Sequence, residues 1–151
     1  MRNELAPLET FATGLLSRLA PAERRKLARI IAPRLRESQS RRIGAQLNPD
    51  GSPYAPRKPR LRKKQGGLRR RMFSKLRTTR WMKAEASPDA AVVTFAAQVQ
   101  AMAQVHHHGL RDRVNRRRGP EVDYPARQLL GFTAPEIAAV EDAVLAHLAG
   151  R

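Results

Sequence analysis

Between Gly51 and Ala84 the chain carries thirteen Lys or Arg residues and no Asp or Glu. The densest part runs from Arg57 to Arg71, with Pro53, Pro56 and Pro59 at three-residue spacing before or within it. Such a segment cannot bury itself, because a buried cation needs a partner that the segment lacks. Its charges require water, an anionic partner or a neighbouring subunit. The fold has to be made by the residues on either side.

Those flanks are sufficient. With 151 residues and 41% hydrophobic side chains, the sequence fits a single domain over 1–151 with a real core. The net charge of +17 predicts attraction to polyanions and self-repulsion. The absence of cysteine excludes disulfides and thiolate metal sites and suits a reducing compartment. No apolar run approaches the ~20 residues of a transmembrane helix. Met1-Arg-Asn-Glu-Leu5 lacks the apolar core of a signal peptide. The expectation is a cytoplasmic product with no membrane partner.

Leu5, Leu8, Ala12, Leu15, Leu16 and Leu19 recur at helical spacing, which predicts an N-terminal helix over 1–20. Pro21 suits the first turn of the next helix. From Ala22 to about Leu47, Leu27, Ile31, Leu35, Ile43 and Leu47 hold an i+4 lattice with Gln39 as its one polar member. Pro33 inside it predicts a kink or a split. Asn48-Pro49-Asp50-Gly51 is a turn signal. Residues 52–71 read as a basic, Pro-rich arm, with a short helix from Leu68 to about Lys75 at its end.

Thr78–Ala86 and Ala91–Ala97 read as strands joined by a turn at Ser87-Pro-Asp-Ala90. Both faces of the second strand are fairly apolar, so a central position is expected. Gln98–His108 returns to helical spacing and Gly109 ends it. Residues 110–122 form a second basic loop, and Ala126–Phe132 suggests a further strand. Thr133-Ala-Pro-Glu136 has the capping-box form ahead of a helix lined by Ile137, Val140, Val144 and Leu148. The order predicts an α+β fold: N-terminal helices, a β-hairpin plus a further strand in a small antiparallel sheet, two later helices packed on it, and two long basic loops.

Little of this points to catalysis. His106-His107-His108 is the tempting cluster, but adjacent helical residues point about 100° apart, whereas shared ligation wants i,i+3 or i,i+4 spacing. A helix end with one histidine packed and the others solvated is the simpler reading, so no metal and no cofactor is expected. No nucleophile–base pair is visible. Asp112 and Asp123 sit among arginines as local salt-bridge partners. The arm offers anionic contacts through Arg57, Lys58, Arg60, Arg62, Lys63 and Lys64, and the second loop through Arg116, Arg117 and Arg118. These residues suit nucleic-acid phosphates and an acidic protein surface alike. Thr133–Gly150, with Glu136, Glu141 and Asp142 but no Lys or Arg, is an unlike patch that can pair with the basic loops within or between copies.

Four strings then align in order: Asn48-Pro-Asp-Gly-Ser-Pro-Tyr-Ala-Pro-Arg57, Met72-Phe-Ser-Lys-Leu-Arg77, Val105-His-His-His-Gly-Leu-Arg-Asp-Arg113, and Asp123-Tyr-Pro-Ala-Arg127 with Leu129-Leu-Gly-Phe132. Together the chain resembles, from about Leu27 to Leu148, the virion-morphogenesis or tail-completion family of contractile-tailed phages related to P2 and Mu, with relatives in tail-derived bacteriocins. The resemblance implies a non-enzymatic structural protein. It would form a ring, commonly a hexamer, at the head-proximal end of the tail. Its partners would be itself, tail tube and sheath proteins, and in a phage the head or neck proteins and DNA in the lumen. It would assemble in the host cytoplasm and end in the particle. On that reading Tyr54, Trp81, Tyr124, Arg127, Glu136, Glu141 and Asp142 are candidate subunit contacts. A free-standing, sequence-nonspecific nucleic-acid-binding protein is the alternative.

Overall fold

The computed structural model describes residue 10 and residues 13–15, 17–57, 71–115, 117 and 119–151. The described residues before Pro21 are largely helical. Pro21 then opens α1 (Pro21–Ala45), with Glu23 in the first turn and Arg42 in the last, each favourable to the helix dipole. Ala28, Ile31, Ala32, Leu35, Gln39 and Ile43 form its buried stripe, so the i+4 lattice was the inward face. Pro33 does not split the helix. It lies on the exposed side, as does Arg29, so water can satisfy the Arg29 carbonyl left without its helical donor. The buried stripe holds the helix together across the gap.

Gln46 ends α1 in the left-handed region at φ 64, which costs a non-glycine residue about 1 kcal/mol. Its side chain offsets this: Nε2 donates to the Ile43 and Met72 carbonyls, and Oε1 accepts from the Met72 amide at 3.0 Å. The turn expected at Asn48–Gly51 follows. Residues 72–77 are successive turns rather than a helix, with Phe73 at φ 61. Residues 58–70, which hold the rest of the expected short helix, lie outside the described residues.

The first hairpin pairs β1 (Met82–Ala86) with β2 (Ala91–Phe95), in register from Met82↔Phe95 to Ala86↔Ala91. The Ser87 hydroxyl accepts from the Asp89 and Ala90 amides in the turn. Among the described residues β2 pairs with β1 alone, so it is not central. Its apolar character comes from helices: α1 packs on both strands and α2 (Ala97–His108) on β2. Gly109 caps α2 at φ 67, and a Cβ there would stand 2.7 Å from the Ala126 amide nitrogen. Glycine is required at this crossing.

The further strand expected at 126–132 does not extend the first sheet; a separate second sheet forms elsewhere. Its strands are β3 (Arg111–Arg113) and β4 (Glu121–Asp123), an antiparallel hairpin inside the second basic loop. Residues 126–132 are irregular up to the α3 cap. Backbone groups of 128–131 are taken by side chains instead of a strand, as described below. The capping box forms as read: the Thr133 amide donates to Glu136 Oε2 at 2.9 Å and the Glu136 amide to Thr133 Oγ1 at 3.3 Å. It starts α3 (Ala134–Leu148), which packs on α1. The Arg18 guanidinium donates to the Leu148 carbonyl, and His147 lies against Glu23. Ile137 falls outside the packed face. The core joins Ile43, Tyr54, Leu76, Met82, Phe95, Ala103 and Leu129, each large aliphatic member contributing about 2 kcal/mol. The fold is α+β, as expected.

Candidate interaction site at the root of the basic arm

Segments far apart in sequence meet around residues 54–57 and 71–73, which flank the basic stretch in the sequence. Tyr54 packs edge-on against Phe73 at 5.9 Å, Phe73 against His106 at 5.0 Å, and His106 against Tyr124 at 4.8 Å. Each of the four aligned strings contributes one ring to this ladder. Pairs of this geometry add about 1 kcal/mol beyond area burial. Phe73 holds its place at positive φ, disfavoured for a bulky residue.

Polar side chains tie the same segments. On the N-terminal side of the arm, Arg127 donates to the Ala55 carbonyl at 2.7 Å and the Pro56 carbonyl at 3.1 Å. On the C-terminal side, Gln46 grips Met72 and Arg71 donates to the Gly44 carbonyl at 2.9 Å. Arg42 donates to the Gln128, Leu129 and Gly131 carbonyls at 3.1–3.3 Å. Asn48 Oδ1 accepts from the Gln128 amide at 2.9 Å, and His107 Nδ1 from the Leu129 amide at 3.2 Å. Residues 128–131 thus have side chains where a strand would have a neighbour, while the Arg127 amide donates to the His106 carbonyl at 2.7 Å. Both ends of the arm are fixed to one frame.

An open cavity of about 640 Å³ lies beside the ladder. Met72, Phe73, Met102 and Val122 give it an apolar wall, and Arg57, Arg71, Lys75 and Arg127 make it basic, with Asp123 as the acid in the lining. Burial pushes the Tyr54 phenol up to about 12, against the opposing effect of Arg42. Its hydroxyl donates to the Gln128 carbonyl. Burial, then the charges of Arg127 and Arg57, lower His106. Burial, then His108 and Arg42, lower His107. Both imidazoles are therefore held neutral near pH 7, and the positive field comes from arginine and lysine.

The histidine run is structural at two of its three positions. His106 is in the ring ladder and His107 accepts backbone amides, while His108 is exposed and stacks edge-on with His107 at 4.6 Å. Among the described residues no three His, Asp or Glu side chains gather in a metal-binding group.

Of the expected anionic contacts, Arg57 and Arg117 are exposed. Lys58, Arg60, Arg62, Lys63, Lys64, Arg116 and Arg118 lie outside the described residues. Of the expected subunit contacts, Tyr54, Arg127 and Glu136 are buried within the subunit and bonded there. Trp81 is half-buried against the core with Arg80 4.8 Å over its ring, and Tyr124 is half-buried in the ladder. Glu141 and Asp142 are exposed on α3. In the second loop it is Glu121, not Asp112 or Asp123, that lies against Arg111 and Arg113, at 3.4 and 3.8 Å. Sequence reasoning missed Arg42, Gln46 and His107 as the clamps. Only Gln46 carried a signal, a polar residue at the end of an apolar lattice beside a turn.

No solved structure matches this chain. The chain is 46% identical over 148 residues to "Tail completion protein S" of Escherichia phage P2, covering 97% of this chain and 98% of that protein. The sequence profile of the phage virion morphogenesis family matches residues 3–149, a span wider than the four strings and including every residue of the arm root. On that match and the near full-length identity, the chain belongs to the phage virion morphogenesis family.

Proposed function

We propose that the protein is a structural tail-completion subunit. It forms a terminator or collar ring of six copies at the head-proximal end of a contractile phage tail or a tail-like bacteriocin. The observation that carries this reading is the 46% identity, over nearly the full length, to a tail completion protein. The physical features agree with it. A ring subunit meets its neighbour through unlike surfaces, and this chain has an acidic exposed side on α3 and basic loops elsewhere. Repulsion among copies at +17 keeps them apart until an acidic tail end offers a template.

In this assembly Arg57, Lys58, Arg60, Arg62, Lys63, Lys64, Arg116, Arg117 and Arg118 contact acidic protein surfaces of the tube or sheath, and DNA phosphates where DNA fills the lumen. Trp81, Tyr124, Glu141 and Asp142 face neighbouring subunits, while Tyr54, Arg127 and Glu136 hold those surfaces in place from inside. We assign no enzymatic activity and no cofactor. Copies assemble in the host cytoplasm and finish in the particle. No helix among the described residues is long and apolar enough to cross a membrane. Electron microscopy of particles made without this gene tests the reading. Ragged or over-long tail ends are expected, and capped tails of normal length would refute it.

The exposed arginines also favour a second reading, sequence-nonspecific binding to nucleic acid. It requires duplex affinity that falls steeply between about 50 and 200 mM salt. Weak DNA binding by a protein that still joins purified tails rejects it.

A further inference from the structure

We propose that the basic cavity beside the ring ladder receives the outer face of α3 from a second copy of this chain. The cavity is open and its apolar lining is accessible: Met102 is 39% exposed and Val114 61%. Arg57, Arg71 and Lys75 stand in the same lining and are exposed. None of the three forms an ion pair among the described residues. A filling partner needs apolar side chains with carboxylates between or beside them.

Helix α3 presents that pattern. Ile137 and Leu145 are 48% and 65% exposed, and Glu141 stands midway between them. At i, i+4 and i+8 the three share one face, which reads apolar, acidic, apolar. Asp142 is adjacent, and no Lys or Arg occurs from Thr133 to Gly150. The opposite face of α3 packs on α1 in its own subunit, so this outer face is free to meet another copy. The chain's own arm is a poor occupant: residues 58–70 hold seven Lys or Arg and no acid, and the cavity would repel them.

The contact is heterologous, cavity to helix, and so propagates from copy to copy. This deepens the ring reading and rests on its premise that copies meet through unlike surfaces. The absence of native cysteine makes the test clean. Lys75→Cys and Glu141→Cys chains carrying different tags are co-expressed, alone and in a strain deleted for the gene. They are treated with a short bismaleimide and read as mixed dimer. Mixed dimer well above that from a Lys83→Cys and Glu141→Cys control pair is expected. Adding Leu145→Asp, a surface change that spares the core, lowers it by roughly tenfold. Yield no higher than the control in both settings overturns the proposal, as does yield indifferent to Leu145→Asp. The ring reading is judged separately by the copy number per tail end: a single copy sinks the ring and leaves the cross-link result standing.

Discussion

Arg42 and Arg111 carry the same guanidinium at opposite ends of a range of uses. Arg42 lies at the end of α1, partly buried, with burial lowering its pKa. It binds three carbonyls of the 128–131 segment. Arg111 is on the exposed second hairpin, and among the described residues its guanidinium pairs with Glu121. Composition counts both toward +17, yet one builds the frame and the other decorates it. The arm root is held by side chains that replace missing strand partners. The β3–β4 hairpin is held by a three-residue ladder and by charges that water screens. In a chain this basic, a cation's role depends on whether backbone carbonyls surround it.

The widest gap between the two regions should appear on truncation. Arg42→Ala removes charge-assisted bonds to the Gln128, Leu129 and Gly131 carbonyls and leaves part-buried acceptors without donors. The expected loss is about 3 kcal/mol, read as a lower urea midpoint with unchanged slope. Arg111→Ala should change the midpoint little. Equal effects at the two positions would break the comparison outright.

How much of this could be read from the sequence also divides between the two regions. The α+β class was legible because local signals carried it: the i+4 lattice of α1, the Ser87–Ala90 turn, and the Thr133–Glu136 box. The arm root was legible as four strings but not as one place. Its joining depends on bonds such as Gln128 to Asn48 and Arg127 to Ala55, which leave no periodicity. Nothing in the sequence distinguishes Arg42 from the other arginines of its helix. Residues 126–132 do not form the expected strand: the Arg127 amide donates to the His106 carbonyl, and the groups of 128–131 are met by Asn48, Tyr54, His107 and Arg42 side chains. The Arg-Asp-Arg and Glu-Val-Asp strands escaped notice because three residues with almost no apolar alternation give no strand signal. Pro33 misled because its damage to a helix depends on which side it faces.

An intermediate effect comes from pH. Burial holds His106 and His107 below the ordinary histidine value, so the unfolded chain binds protons more readily than the folded one. Their contribution is complete above the unfolded value of about 6.5 and declines as pH falls through it toward the folded values. Melting temperature should therefore drop between about pH 7 and 5, before carboxylates titrate. Protonated His107 cannot accept the Leu129 amide at Nδ1. His107→Asn keeps an acceptor there without titrating, and should flatten part of the slope. His106 supplies the remainder. An unchanged slope in His107→Asn would show that this end of the frame is insensitive to the imidazole.

The smallest effect belongs to the surface hairpin. Glu121 faces Arg111 at 3.4 Å and Arg113 at 3.8 Å, and all three side chains are more than half exposed. Ion pairs in such positions contribute about 0–1 kcal/mol, less at high salt. Glu121→Ala should lower stability by no more than about 0.5 kcal/mol, with the difference shrinking as salt is added. A larger, salt-insensitive loss would mean that β3–β4 is part of the frame after all. Removing Glu121 also leaves Arg111 and Arg113 without their acid. If the hairpin serves to attract anions, the variant should bind an acidic partner or DNA at least as well as the parent at low salt.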